Sequence, residues 1–186
     1  MSQPLASGAE NGPAHVALVG GRVAVIRRAA RADLSGVRGL HLACGADTLR
    51  DRYLGSPPDL TDAGLAALID PPRGLALVAC AGRPDGDVLG LAQVFGGPPV
   101  AEIAVLVRDD HQQRGLGTML ARRAVDAAAS LGCRDMVAYG VAGSSRLARL
   151  LGRLELRSQL RAEGPMITLR APIARIPDQR NLRIVH

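Results

Sequence analysis

The sequence predicts an α/β sandwich with a mixed sheet. Three observations predict it. Short apolar runs alternate with amphipathic helical patterns in the order β-α-α-β-β-β-α-β-α-β-β. The three central apolar runs are separated by Pro- and Gly-containing turns, as in an antiparallel meander. The chain has 186 residues, enough for one domain with its own core.

The elements follow in order. Residues 1–13 are small and polar, and read as a disordered tail. His15 to Val19 and Arg22 to Arg27 are short β-like runs around Gly20-Gly21, a pair that favours a tight hairpin. Asp33 can cap a helix with Leu34, Val37, Leu40 or His41, and Cys44 on one face. Gly45 ends it, and Asp47 can cap a second turn carrying Leu49, Tyr53 and Leu54. Thr61 caps a short helix with Leu65, Leu68 and Ile69. Leu75 to Ala81, Val88 to Phe95 and Ala101 to Val107 form the meander. Leu116, Met119, Leu120, Ala124, Ala127, Ala128 and Leu131 then share one helical face, and Gly132 stops the helix. Met136 to Val141 is a further strand, and Ser144 or Ser145 can cap a helix with Leu147, Leu150, Leu151 and Leu154. Gln159 to Arg161 and Met166 to Arg170 flank Glu163-Gly164-Pro165 as a last hairpin. Residues 172–186 form an Arg-rich tail.

Composition excludes several chemistries. Hydrophobic residues make up 47% but aromatics only 2%, so base-stacking recognition of nucleic acid is not expected. All 23 basic residues are arginine. Without lysine there is no Schiff-base or P-loop chemistry. The net charge of +6 suits an anionic ligand. Cys44, Cys80 and Cys133 lack metal spacing and read as reduced, packed thiols of a cytoplasmic protein. The N-terminus does not have the pattern of a signal peptide, and no apolar stretch is long enough to cross a membrane. No attached regulatory domain is expected, and the composition leaves a monomer or a homodimer open.

Chemistry concentrates at AEIAVLVRDDHQQRGLGTML, residues 101–120. A helix that opens near Gly115 presents unpaired N–H groups and the positive end of its dipole. Gly115 and Gly117 let a ligand approach the backbone, and Gln112, Gln113 and Arg114 can add donors. Such a turn suits a phosphate, preferentially a pyrophosphate. A dinucleotide fingerprint fails, because Leu120 replaces the third glycine and the next strand ends without an acid.

Gln112-Gln-Arg-Gly-Leu-Gly117 resembles the Q/R-x-x-G-x-G/A signature of the GNAT acyltransferase superfamily. The resemblance spans about Arg22 to Ala171, one domain over residues 14–171. The A-E-x-A context of Glu102, and TLRDRYL with its Arg followed by an aromatic, look closest to bacterial protein-lysine acetyltransferases. The resemblance implies a mixed, mainly antiparallel sheet flanked by helices and splayed at its central strands. It implies acetyl-CoA or another acyl-CoA, with the pyrophosphate on the backbone of Gln113, Arg114, Gly115, Leu116, Gly117 and Thr118. Pantetheine would pair with Val105, Leu106 and Val107.

An amine attacks an acyl carbon only after losing a proton, so acyl transfer needs a base. A carboxylate in an apolar cleft has a raised pKa, which suits that work near neutral pH. Glu102 is therefore the expected general base, with a backbone N–H of its strand stabilising the oxyanion. The family's Tyr and Asn are missing from VAGSSRLARLLGRLEL, and Glu155 stands where Gly is common. Ser144 or Ser145 can replace the Asn contact, or simply cap the helix. Tyr139 reads as core packing or cleft lining. His111 reads as a partly exposed loop residue, His41 as a core-edge residue, and Asp109 and Asp110 as strand-end and turn residues. The acceptor is expected to be a primary amine, first a protein lysine. A small-molecule amine and a catalytically idle acyl-CoA-binding module are the alternatives.

Overall fold

The structure is a computed structural model that describes residues 12–143, 145–154 and 157–173, with no side-chain description at 145, 146, 148 and 151. It is built on one sheet of eight strands in the order β1-β2-β3-β4-β5-β6-β8-β7. The strands are β1 (Ala14–Ala17), β2 (Val23–Arg28), β3 (Gly74–Ala81), β4 (Val88–Gly97), β5 (Val100–Val107), β6 (Asp135–Val141), β7 (Gln159–Glu163) and β8 (Met166–Pro172). The helices are α1 (Leu34–Leu42), α2 (Ala46–Tyr53), α3 (Asp62–Ile69), α4 (Leu116–Ser130) and α5 (Ser145–Leu154). The opening hairpin thus contributes two strands, and three helices follow it rather than two. Strand β8 runs to Pro172, one residue past the boundary read from the sequence.

The sheet is antiparallel except between β5 and β6. Side chains alternate between its faces, so each strand feeds two cores. One core lies under α4 and α5, where Leu116, Leu120, Ala124 and Ala128 meet Ala92, Val94, Ala101 and Ile103. The other lies under α1, α2 and α3, where Val37, Leu40, Leu65 and Ile69 meet Ala76, Val78, Leu91 and Leu106. Both are aliphatic, as the aromatic-poor composition requires. Helices α2 and α3 have only eight residues each, too short to hold without this packing.

Two caps differ from the sequence reading. Thr61 caps α3 as expected, its Oγ1 accepting from the Gly64 N–H at 3.3 Å. Asp33 does not cap α1. Its carboxylate accepts from the Arg27 guanidinium at 2.7 and 2.8 Å and from the Ala30 N–H at 2.8 Å. A charged partner on a neighbouring strand wins over a local backbone donor. Asp47 does not cap α2 either; it lies in the first turn, and Gly45 is the N-cap. All three cysteines are buried and unbridged.

Candidate active site

The parallel pairing of β5 with β6 lasts only three residues, Val100 with Asp135, Ala101 with Met136 and Glu102 with Val137. Beyond Glu102 no β5–β6 pairing continues, and a cavity of about 460 Å³ opens between them. The cleft passes through the sheet. Val105, Leu106 and Val107 line it from β5, Ala138 and Gly140 from β6, and Leu147 and Leu150 from α5. Thr48, Asp51 and Arg52 of α2 line its other end.

The glycine-rich turn sits at this cleft. Gln113 and Gly115 both have left-handed backbones, φ 60° and 89°. Gly115 is the N-cap of the 15-residue α4, and no side chain caps the helix. The first intrahelical bond runs from the Met119 N–H to the Gly115 carbonyl at 3.1 Å. The N–H groups of Leu116, Gly117 and Thr118 are thus the helix's orphan donors, beside a positive dipole end. No side chain covers them, so the turn fits a pyrophosphate.

Of the residues expected to hold that anion, Gln112, Gln113, Gly115, Gly117 and Thr118 line the cleft. Leu116 turns its side chain into the core, fully buried, and can offer only backbone. Arg114 is half-buried and does not line the cleft, and its carbonyl accepts from Val19 N–H at 3.2 Å. Ser144 lies outside the described residues, and Ser145 is the first residue of α5. Arg149 and Arg153 of α5, not singled out in the sequence, line the cleft and add positive charge. Their four-residue spacing was the available signal.

Gln112 departs from the expected role. Its amide donates to the Val107 carbonyl at 3.1 Å, to Asp109 Oδ1 at 2.8 Å and to Thr48 Oγ1 at 3.2 Å. Asp109 is more than a turn residue. It accepts from the Gly45 N–H at 2.8 Å and the Thr48 hydroxyl at 2.7 Å, supplying the cap that α2 lacks. Asp110 pairs with Arg108 at 2.7 Å and with His111 at 2.8 Å. These contacts hold the Asp110 carboxyl well below the ordinary carboxylate range, chiefly through the Arg108 guanidinium. His111 is buried, not partly exposed.

Glu102 occupies the last paired position before the strands part. It faces Phe95 across β4, and Gln93 faces Ala104, so alternation puts Gln93 and Glu102 on the α2 side. This surrounding is not the apolar one expected for a base. Arg52 is near enough for the Glu102 charge to raise its pKa, although burial lowers that pKa overall. The Arg52 guanidinium donates through Nη2 to Gln93 Oε1, and Gln93 Nε2 donates to the Leu68 carbonyl at 2.8 Å. The guanidinium also stands 4.6 Å from the Tyr53 ring centroid. Beneath them, His41 is 2% exposed. Its Nδ1–H donates to the Val37 carbonyl at 2.7 Å, so Nε2 accepts from the Tyr53 hydroxyl at 2.6 Å. Burial pushes the His41 pKa down, and the Arg52 charge adds to this.

Tyr139 lies on the same sheet face as Glu102 and Val137, opposite Thr168 of β8. It is 40% exposed and neither packs in a core nor lines the cleft. Helix α1 covers β4, α3 covers β3 and α2 lies against β5 and β6, yet Tyr139 stays exposed and Val137 and Thr168 half-exposed.

A sequence model of the Acetyltransferase (GNAT) family matches residues 46–152, from α2 through most of α5. Curated proteins show no significant match. The fold is similar to the GNAT domain of S. lividans PAT, with TM-score 0.78 and 17% identity over 90% of this chain and 99% of that one. It is also similar to yncA from Salmonella typhimurium, solved with acetyl-CoA, with TM-score 0.59 and 21% identity over 81% and 94%. The ribosomal-protein-S18-alanine N-acetyltransferase from Escherichia coli gives TM-score 0.62 and 17% identity over 86% and 99%. The family match covers more than half of the chain and the whole segment that forms the split and its uncapped turn, so this protein belongs to the GNAT acetyltransferase family and is an acetyl-CoA-dependent acetyltransferase.

Proposed function

We propose that residues 14–171 act as one acyltransferase domain that moves the acetyl group to a primary amine, with protein lysine as the acceptor. The position of Glu102 at the parting of β5 and β6 carries the reading. The donor would place its pyrophosphate on the backbone from Gln113 to Thr118 and its pantetheine along Val105, Leu106 and Val107. Arg149 and Arg153 would add charge for the phosphates. Ser144 or Ser145 would replace the family's Asn contact to the pantetheine arm. Glu102 takes the proton from the incoming ammonium, directly or through water, and the free amine attacks.

The lysine acceptor draws support from two observations. The sheet face beside Glu102, with half-exposed Val137 and Thr168 and exposed Tyr139, is open enough for a protein surface. The GNAT domain of S. lividans PAT shares the fold over nearly its full length. A release assay for CoA, run against acetylatable proteins and small amines, tests the reading. Turnover with protein acceptors and its loss in Glu102→Gln supports it. Turnover only with small amines moves the acceptor to that class. Acetyl-CoA binding without any turnover would leave an idle acyl-CoA-binding module.

A further inference from the structure

Arg27 and Arg52 are satisfied differently. Arg27 is fully engaged. Its Nε donates to the Pro84 carbonyl at 2.8 Å, and its Nη atoms donate to Asp33 at 2.7 and 2.8 Å and to the Arg28 carbonyl at 3.1 Å. Such an arginine has a structural job. Arg52 donates through Nη2 to Gln93, yet its buried Nε–H has no partner among the described residues. A buried donor without an acceptor is costly, and few folds keep one without use. Arg52 also lines the cleft, beside Ile103, Val105 and Leu106.

We propose that Arg52 is a catalytic residue whose Nε–H donates to the acyl oxygen of the donor as that oxygen takes up negative charge. This rests on the acyl-transfer reading and on Glu102 as base, but not on the identity of the acceptor. The step balances as follows. The ammonium first gives one proton to Glu102; the amine nitrogen then bonds to the acyl carbon and the carbonyl π pair moves to oxygen. The C=O bond then re-forms, the C–S bond breaks, and CoA leaves as thiolate. That thiolate takes the second proton from the amide nitrogen, and Glu102 returns its own to solvent.

The charges suit this sequence of events. Before reaction, Arg52 is near enough to feel the Glu102 carboxylate, a resident negative charge that disfavours a second anion. Glu102 takes the ammonium proton before attack, so no carboxylate charge opposes the oxyanion as it forms. The guanidinium then interacts more strongly with the transition state than with bound substrate, which is the condition for catalysis. It cannot serve as the missing general acid, because it does not deprotonate. It stabilises charge instead. Helix α2 holds it in place at both ends, through Asp109 at Gly45 and Thr48 and through Gln93 at Arg52 itself.

The test uses the full chain labelled with ¹⁵N-arginine. The Arg52 Nε–H resonance is identified by its loss in Arg52→Lys. Acetyl-CoA should move it downfield and CoA should not. An unmoved resonance, or an equal response to both, would overturn the proposal. In kinetics, Arg52→Met should lower kcat about 10²–10³-fold, the range for one lost oxyanion donor, with the Kd for acetyl-CoA unchanged. Arg52→Lys should recover part of the loss. A raised acceptor KM at constant kcat would instead make Arg52 an acceptor-binding residue and reject the proposal. If the wild type binds acetyl-CoA but acylates no amine, the acyl-transfer reading fails on its own, while the resonance still decides the Arg52 contact.

Discussion

The two ends of the cleft are built in opposite ways. At the proposed donor end, the uncapped turn comes from one contiguous stretch, Gln112 to Thr118, and would work through its backbone. At the proposed acceptor end, Arg52 of α2 lines the cleft, while Gln93 of β4 and Glu102 of β5 lie on the same side of the sheet without lining it, and all three would work through side chains. A backbone cradle tolerates many side chains as long as the turn keeps its shape. A side-chain cluster tolerates few. Substitutions of equal size should therefore cost more at the acceptor end.

The largest effect is expected at Glu102. Glu102→Gln should lower kcat by about 10²–10⁴-fold, the usual contribution of a general base, while the Kd for acetyl-CoA stays unchanged. Stopped-flow turnover and calorimetric binding measure the two separately. A parallel loss of binding would erase the distinction between the ends.

Asp109 joins the two ends, so its removal should be felt at both. Asp109→Ala strips acceptors from Gly45, Thr48 and Gln112. Hydrogen bonds to a charged group are worth about 1.5–3 kcal/mol each, and a lost cap about 1 kcal/mol. An overall loss of about 2–3 kcal/mol in denaturant unfolding is expected, with a raised KM for acetyl-CoA. Unchanged stability would mean that α2 holds without the link.

His41 tests the acceptor end by pH. Its pKa is lowered in the folded protein, so the unfolded chain binds the proton more readily. Stability must then rise with pH below about 6.5, the ordinary His value, and fall as acid approaches the lower folded value. His41→Phe should flatten this slope in unfolding curves from pH 5 to 8. An unchanged slope would assign the dependence to other groups.

The smallest effect is expected at the donor end. A Cβ on Gly117 would lie 3.6 Å from Val107 Cγ2, an ordinary contact. Gly117→Ala should change stability by less than about 0.5 kcal/mol and raise the KM for acetyl-CoA only a few-fold. A large loss of acetyl-CoA binding would show that the ligand approaches the backbone more closely than a methyl group allows.

Legibility followed the same division. The turn could be read because glycine spacing and a helix start are local signals, and α4, the meander and the last hairpin all stand where periodicity put them. Side-chain partners were harder. Asp33 had a local donor and a distant cation, and the sequence cannot rank them. Asp109 looked like turn punctuation because its partners, Gly45 and Thr48, are 64 and 61 residues away. Gln112 looked like a phosphate donor, yet Asp109 and the end of β5 claim its amide. Tyr139 followed strand alternation, but alternation does not tell which face a helix covers. His111 looked exposed in a polar loop, and packing buried it.

By itself, the sequence determined the fold class, the aliphatic core and the glycine turn that opens α4, since these rest on periodicity, composition and backbone freedom within a few residues. Tertiary structure alone decided where β5 and β6 part, that Arg52 lines the cleft between them, and that its Nε–H has no partner among the described residues. The reason is physical. Charge pairing and burial depend on distances between groups that only the folded chain brings together.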